Sequence, residues 1–556
     1  GNRKQTISQT PSEPGDDLYL SIDADLQQQA EKSLEGVLDA ISQGYQYESD
    51  YGTFMPLRQA PHASSGAVVV SNVKTGEVLA MASFPNYDPN LFSTGISQSD
   101  WESLQVEEDS GPLVPRPMLN IASQTAVMPG STFKLVTALA ALESGLDPQA
   151  VITDYGYVEV GNQTFNNLAW TEYGITQGEE NLYGAIRDSN NYYFYVLALG
   201  ENPHDGKSIG TKLDLNDIRL AAEKLGLDKP TGIEVNIPRE TTGNIPSIGK
   251  KIEITKMMLQ NYLQNKLPVY LKDGVKKSRS EFESDVVEIV KMTSNPSEWT
   301  RKNIIEFLDE KGYEAESMKG KDRAGLADTI KYTYLNQAEW DITDMLNIVI
   351  GQGQNAYTPI QMNRAIATLT NGGYLNKFTL VDKVTNHDSG DILFNNVPER
   401  SRIDIKDKKY LEDIKYGTLL VSQNNKILNQ LPLDIGIKTG TAEVEGKNTD
   451  GTDYDSYAWM VGFAPYDDPE IAISIVLTQG DTSYNATPIM RDIVSKYFDL
   501  DVFLTNSGDT PQDADIAELG DSVINEDQGL PQNPENPENT EENQNDNNAG
   551  DGGNPN

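Results

Sequence analysis

The sequence predicts an α+β fold whose antiparallel sheet joins distant parts of the chain. Three observations point to it: a β-prone hairpin at 67–83, a helix of small and apolar residues opening after Gly130, and two β-prone runs after residue 437.

Residues 1–17 are polar and hold Pro11, Pro14 and Gly15, which reads as a linker from something upstream. A strand is expected over 18–22, and Asp23 then caps a helix with Leu26, Ala30 and Leu34 on one face. The runs 67–71 and 77–83 flank Val73-Lys74-Thr75-Gly76 and form a hairpin. The helix 131–144 is apolar enough to be buried and stops at Gly145. A Lys- and Glu-rich stretch, about 248–337, reads as a helical insertion. Ser280 and Glu283 make a capping box before Phe282, Val286, Ile289 and Val290, and Ser297 caps a second helix bearing Ile304, Ile305 and Leu308. Its plain reading is a structural subdomain; the sharper one is a partner-binding surface. Runs 457–463 and 471–477 read as antiparallel strands, followed by a helix over 488–498. From 506 to 556 the chain has 13 acidic and no basic residues and almost nothing apolar, so a disordered acidic tail is expected.

Composition excludes several chemistries. A net charge of −40, from 84 acidic against 44 basic residues, argues against a nucleic-acid partner, because phosphate binding needs a basic surface. No cysteine is present, which removes disulfides, thiolate metal sites and cysteine nucleophiles. The three histidines, His62, His204 and His387, are far apart, so neither a Ser-His-Asp triad nor a His-rich metal site is expected, and no cofactor is called for. No run approaches the roughly 20 apolar residues that span a bilayer.

A serine hydroxyl needs a base to become a nucleophile, and with histidine scarce lysine is the candidate. In Ser131-Thr132-Phe133-Lys134 the three-residue spacing at a helix start puts hydroxyl and amine on one face. A lysine is normally protonated, so burial or a second cation must lower its pKa; Lys438, in Lys438-Thr439-Gly440-Thr441 on an expected edge strand, could be that cation. Ser189-Asn190-Asn191 supplies a hydroxyl to relay a proton and an amide to hold a peptide group. Spacing alone is weak evidence. Ser-x-x-Lys recurs at Ser71/Lys74 and Ser247/Lys250, Ser-x-Asn at Ser422/Asn424 and Ser483/Asn485, and Lys-Thr-Gly at Lys74-Thr75-Gly76. Lys74 closes a hairpin, and Ser247 reads as a loop residue with no periodic helix behind it. The first set is distinguished by a buried helix, a polar turn and a strand, in that order. Together they form a motif of penicillin-binding proteins and class A β-lactamases.

The flanks sharpen this. Met128-Pro129-Gly130-Ser131-Thr132-Phe133-Lys134 resembles the signature of class B penicillin-binding proteins. Similar stretches are Leu20-Ser21-Ile22-Asp23, 74–83, Thr231-Gly232-Ile233-Glu234, Ile350-Gly351-Gln352-Gly353, Lys438-Thr439-Gly440-Thr441-Ala442-Glu443 and 458–465, so the resemblance covers roughly 18–498 in family order. It is to the peptidoglycan D,D-transpeptidases of the PBP2 type.

The resemblance implies a penicillin-binding transpeptidase or serine β-lactamase-like fold over 18–505, an antiparallel sheet flanked by helices with an all-helical part. It implies an acyl-transferase acting on D-Ala-D-Ala stem peptides, passing the acyl group to an acceptor amine and inhibited by β-lactams. Ser131 would be the nucleophile, Lys134 its base and Ser189 the proton shuttle, with Asn191 holding the substrate amide. Lys438, Thr439 and Thr441 would meet the substrate carboxylate, Gly440 would leave room, and the N–H groups of Ser131 and Thr441 would form an oxyanion hole. It further implies a glycosyltransferase and other cell-wall assembly partners, and a single-pass membrane anchor and pedestal upstream of an extracytoplasmic domain. Alternatives of the same fold are a β-lactamase, a D,D-carboxypeptidase or a β-lactam sensor; one of another class is a non-catalytic cell-wall scaffold. The insertion lies outside the minimal family core, so its role cannot be carried over.

Overall fold

The computed structural model describes residues 14–106, 111–234, 239–319 and 323–506. Of the expected disordered tail at 506–556 only Asn506 is described, and it is buried and bonded to the Met55 backbone on both sides of its amide; the rest of that tail and most of the expected linker lie outside the described residues.

The central sheet is fully antiparallel, in the order Gly436–Ala442, Tyr457–Ala464, Ile471–Thr478, Ser65–Asn72, Val78–Phe84. Its middle joins residues about 400 apart in the chain, Ile473 facing Val70 and Ile475 facing Val68. All eight residues of Tyr457–Ala464 are buried. This strand therefore reads as a continuous apolar run and not as an alternation, because helices cover both faces. Ala24–Gln43 and Thr487–Tyr497 pack on one side, Pro359–Thr370 and Lys409–Asn424 on the other.

The helices Ala24–Gln43 and Thr487–Tyr497 are tied by a buried hydrogen bond as well as by packing. Asp492 is fully buried beside Arg491 and accepts from Ser33 Oγ at 2.9 Å, Tyr47 Oη at 2.7 Å and Ser49 Oγ at 3.0 Å. Removing one partner from such a buried pair typically costs about 3–5 kcal/mol. Asp23 caps the first helix, accepting from the N–H groups of Asp25 and Leu26, and the glycine that ends it, Gly44, adopts the left-handed conformation.

Beside the sheet lies a helical part that includes Lys134–Glu143, Leu182–Arg187, Asn191–Leu199, Leu215–Lys224 and Ile342–Val349. Lys134–Glu143 is buried over nine of its ten residues, from Lys134 to Leu142, as a helix with so many small and apolar side chains must be.

The stretch from 248 carries three main helices, Ile248–Lys266, Arg279–Lys291 and Arg301–Glu310, and a shorter turn region reaching Ala338. Leu259, Leu263, Ile289, Ile304 and Leu308 form a core separate from the main one. Lys251 ties this unit to the main body through Asp344, Nζ to Oδ2 at 2.6 Å.

Three details of the expected capping are corrected. The box forms at Ser278 and Glu281, not at Ser280 and Glu283. Both serines have a glutamate three residues on, and starting two residues earlier frees Glu283 to pair with Arg279 one turn away at 2.7 Å. Thr300, not Ser297, caps the next helix, because Pro296–Glu298 is already a separate 3-10 turn. Ser247 is not a loop residue: it caps Ile248–Lys266, accepting from the Lys250 N–H at 3.1 Å. Its serine-lysine spacing thus arises from a cap, with Lys250 turned to solvent.

Candidate active site

The backbone around Ser131 is set by two glycines. Gly130 adopts φ +52, and a Cβ there would lie 2.5 Å from the Thr441 carbonyl oxygen; a Cβ on Gly440 would lie 2.8 Å from the Pro129 oxygen. Without side chains at both positions, the turn Gly130–Phe133 can rest directly on the strand Gly436–Ala442. Trp459, on the neighbouring strand, donates to the Met128 carbonyl at 2.9 Å, and Phe133 stacks on Tyr357 with centroids 5.6 Å apart. The nucleophile candidate is thereby fixed at the edge of the sheet.

Lys134 is fully buried one turn further on. Its Nζ donates to the Ser189 carbonyl oxygen at 2.5 Å and to Asn191 Oδ1 at 2.6 Å, and lies 3.3 Å from Ser189 Oγ and 5.4 Å from the centre of the Phe194 ring. Burial, and secondarily the positive charge of Lys438, push this amine well below the ordinary lysine range. Lys438 is equally buried and donates to Ser189 Oγ at 3.0 Å. The Ser189 hydroxyl therefore sits between two lysines.

Ser189 has φ +53, a left-handed conformation that a serine adopts only when its surroundings hold it there. Part of that hold is Asp154, nearly buried, whose carboxylate accepts from Gly156 N–H, Gln177 N–H, Asn167 Nδ2 and Asn190 Nδ2 at 2.6–3.2 Å. Asn167 Oδ1 in turn accepts the Asn191 N–H at 3.0 Å. The polar network shapes the turn from behind.

Ser131, Ser189, Asn191, Thr439, Gly440 and Thr441 line one cavity of about 230 Å³, with Lys134 and Lys438 buried against its wall. The structure thus brings all eight sequence-predicted site residues together. It adds Arg58, Glu172, Gln352, Glu443, Asp481 and Ser483 to the lining. Gln352 and Glu443 stand inside motifs that carried the family resemblance. Ser483, one of the recurrences of the Ser-x-Asn spacing, reaches the cleft through the turn Ser483–Ala486 before the last helix, and no local pattern signals this. Tyr192, Tyr193 and Phe194 are buried in the core. Among the described residues no group of three or more His, Cys, Asp or Glu side chains is placed to hold a metal ion.

Residues 66–495 match the family described as the penicillin binding protein transpeptidase domain. The chain belongs to this family. Among the curated members it resembles, the peptidoglycan D,D-transpeptidase MrdA of Haemophilus influenzae is 25% identical over 510 residues, covering 89% of this chain and 58% of that protein. MrdA of Escherichia coli K12 is 24% identical over 513 residues, covering 89% and 60%. The chain thus spans less than two thirds of these relatives. Among solved transpeptidase structures, Pseudomonas aeruginosa PBP2 superposes with a TM-score of 0.56 at 24% identity, covering 87% of this chain and 79% of that one. Penicillin-binding protein A of Mycobacterium tuberculosis does so at 0.56 and 19%, covering 87% and 82%. The α+β transpeptidase fold is shared across all of them.

Proposed function

We propose that this penicillin-binding transpeptidase domain is a peptidoglycan D,D-transpeptidase of the MrdA, or PBP2, kind. The observation that carries the reading is the buried, down-shifted Lys134 amine at the wall of the Ser131 cavity, with the Ser189 hydroxyl between it and Lys438.

A neutral amine has two hydrogens and one lone pair. The Ser189 carbonyl and Asn191 Oδ1 take the two hydrogens, which leaves the lone pair to accept a hydroxyl proton. Lys134 removes the proton of Ser131 as Oγ attacks the penultimate D-Ala carbonyl carbon. The oxyanion is held by the N–H groups of Ser131 and Thr441, each such donor being worth about 3 kcal/mol. As the C–N bond breaks, the proton passes through the Ser189 hydroxyl to the departing D-Ala amine, leaving an ester on Ser131. An acceptor amine then attacks the ester, and the proton returns to Ser131. Lys438, Thr439 and Thr441 bind the donor's terminal carboxylate, Asn191 holds its amide, and Gly440 lets the strand approach.

In this reading β-lactams are inhibitors that acylate Ser131, and the domain works outside the cytoplasm on a membrane-anchored protein. Its partners are a glycosyltransferase and other cell-wall assembly proteins. The family resemblance supports each of these. Fluorescent penicillin is expected to label the protein, Ser131→Ala to abolish labelling, and intact mass to show an adduct lasting far beyond seconds. Rapid loss of the adduct with turnover would establish a β-lactamase instead. D-Ala release that no acceptor amine diverts into a cross-link would establish a carboxypeptidase. No labelling at all would leave a scaffold or an unrelated ligand.

A further inference from the structure

Behind the Ser189 turn lie two carboxyl groups that the reaction above does not use. Glu180 and Asp188 are each 1% exposed. Glu180 stands on the short strand Glu179–Glu180, which pairs with Ile152–Thr153 just before Asp154. Asp188 immediately precedes Ser189 and lines the same cavity.

The available donors around Glu180 are already taken. Its carboxyl packs so tightly on the helix Leu182–Arg187 that a Cβ at Gly184 would fall 1.9 Å from Oε2, yet the Gly184 N–H donates to Asn181 Oδ1 at 3.0 Å. Arg187 is committed to Asp188, Nε to Oδ1 at 2.6 Å and Nη2 to Oδ2 at 2.7 Å. Neither Glu180 oxygen receives an N–H or O–H from the described residues. What does lie within its hydrogen-bonding reach is the Asp188 carboxyl. Two ionised carboxylates cannot bond to one another, and both would be desolvated. One must carry a proton. The arginine fork uses both Asp188 oxygens as acceptors, so the proton belongs on Glu180.

We propose that Glu180 is a positioning residue, a neutral carboxylic acid that donates a hydrogen bond to Asp188 and so holds the turn carrying Ser189 and Asn191. The two paired strands then brace this turn on both sides: Asp154 holds Asn190 and Glu180 holds Asp188. The strained Ser189 conformation is what these braces maintain. The charged and titratable groups facing Glu180 are Asp188, Arg187 on its helix, Asp154 across the strand pair and Tyr193 on the helix Asn191–Leu199. Burial first, then the Asp188 charge, raise the Glu180 acid well above the ordinary carboxylate range, in keeping with this geometry.

The inference rests on the acyl-enzyme reading for its kinetic consequence but not for its chemistry. The test measures the second-order rate of acylation by fluorescent penicillin against pH for the wild type, Glu180→Gln and Glu180→Leu. Glutamine keeps the donor and cannot ionise; leucine removes it. Glu180→Gln is expected to acylate at close to the wild-type rate near pH 7 and to keep its rate at alkaline pH, where the wild type declines as Glu180 ionises. Glu180→Leu is expected to be slower on the order of 10–100-fold, the usual effect of a small misplacement of reacting groups. Infrared difference spectra should show a protonated carboxylic-acid carbonyl band that Glu180→Gln abolishes. This reading is independent of activity and of whether the leucine variant folds. The proposal is overturned if the band survives in Glu180→Gln, or if that variant shares the wild-type alkaline limb. A wild type that penicillin does not label would overturn the acyl-enzyme reading instead, while the infrared band would still decide Glu180.

Discussion

Lys438 Nζ lies 3.0 Å from the hydroxyl oxygen of Ser189, and Lys134 Nζ lies 3.3 Å from the same oxygen. One hydroxyl thus links two buried lysines whose charges oppose each other, and only one of them is positioned to give up its proton. Lys134 has a lowered pKa because it is buried and because Lys438 is charged. Lys438 donates to Ser189 Oγ and to its neighbour's carbonyl oxygen at 3.1 Å. In the proposed reaction the lowered Lys134 amine is the base and Lys438 the neighbouring cation.

Replacing Lys438 by glutamine removes the second cause of the Lys134 shift and leaves the first. The Lys134 pKa then rises. A base acts only when neutral, so acylation falls as pH drops through its pKa, and this acidic limb is expected to move to higher pH in Lys438→Gln. Each unit of movement slows acylation about tenfold at a fixed pH below the limb. The rate of β-lactam acylation between pH 5 and 10 measures it, as approximate limits. An unmoved limb would show that burial alone sets Lys134.

Gly130→Ala tests the contact between the nucleophile turn and the strand beside it. The substitution places a Cβ on a left-handed residue, costing about 1–3 kcal/mol, and presses it against the Thr441 oxygen at 2.5 Å. The turn must retreat from the strand that carries Thr441. Acylation is expected to fall on the order of 100-fold while the protein stays folded by circular dichroism. An unchanged rate would mean that Ser131 is located by other contacts.

The sheet was legible because its strands are either alternating or continuously apolar and because Lys74-Thr75-Gly76 closes a hairpin. The site was legible because three short motifs occur in one order with distinctive flanks. What spacing could not reveal is which of two equivalent patterns the tertiary structure uses. Ser278 and Ser280 both fit a capping box; the structure uses Ser278, which leaves Glu283 beside Arg279. Ser247 heads a helix whose buried face is narrow, with Thr255, Leu259 and Leu263 inside, so its apolar period is faint. The braces of the Ser189 turn escape sequence reading for another reason. Asp154, Asn167, Gln177 and Glu180 are ordinary polar residues until folding buries them.

The insertion has its own core, so damage there should remain there. Ile289→Ala removes a fully buried side chain and is expected to cost about 2–5 kcal/mol within this unit. Hydrogen exchange should accelerate in Ile248–Lys266 and Arg279–Lys291, while penicillin acylation changes less than about twofold. A large loss of acylation would show that the insertion is coupled to the cleft through Lys251 and Asp344.

Asp154→Ala removes the acceptor shared by four buried donors. Leaving even part of that set unpaired is expected to cost about 3–5 kcal/mol, because each orphaned group loses water without gaining a partner. The kinetic effect follows from Asn190. Its Nδ2 is held by Asp154 while its Oδ1 caps the helix Asn191–Leu199 through the Tyr193 N–H at 2.9 Å. Freed from Asp154, the Asn190 side chain can turn away from that cap, and Ser189 relaxes from its left-handed conformation. Asp154→Asn can keep its oxygen on the Gln177, Asn167 and Asn190 donors and turn its amide toward the single Gly156 N–H, so it should fall between alanine and wild type in both unfolding free energy and acylation rate. Chemical denaturation beside penicillin labelling separates the two effects. If Asp154→Ala is destabilised yet acylates at the wild-type rate per folded molecule, the network supports the fold without shaping the Ser189 turn.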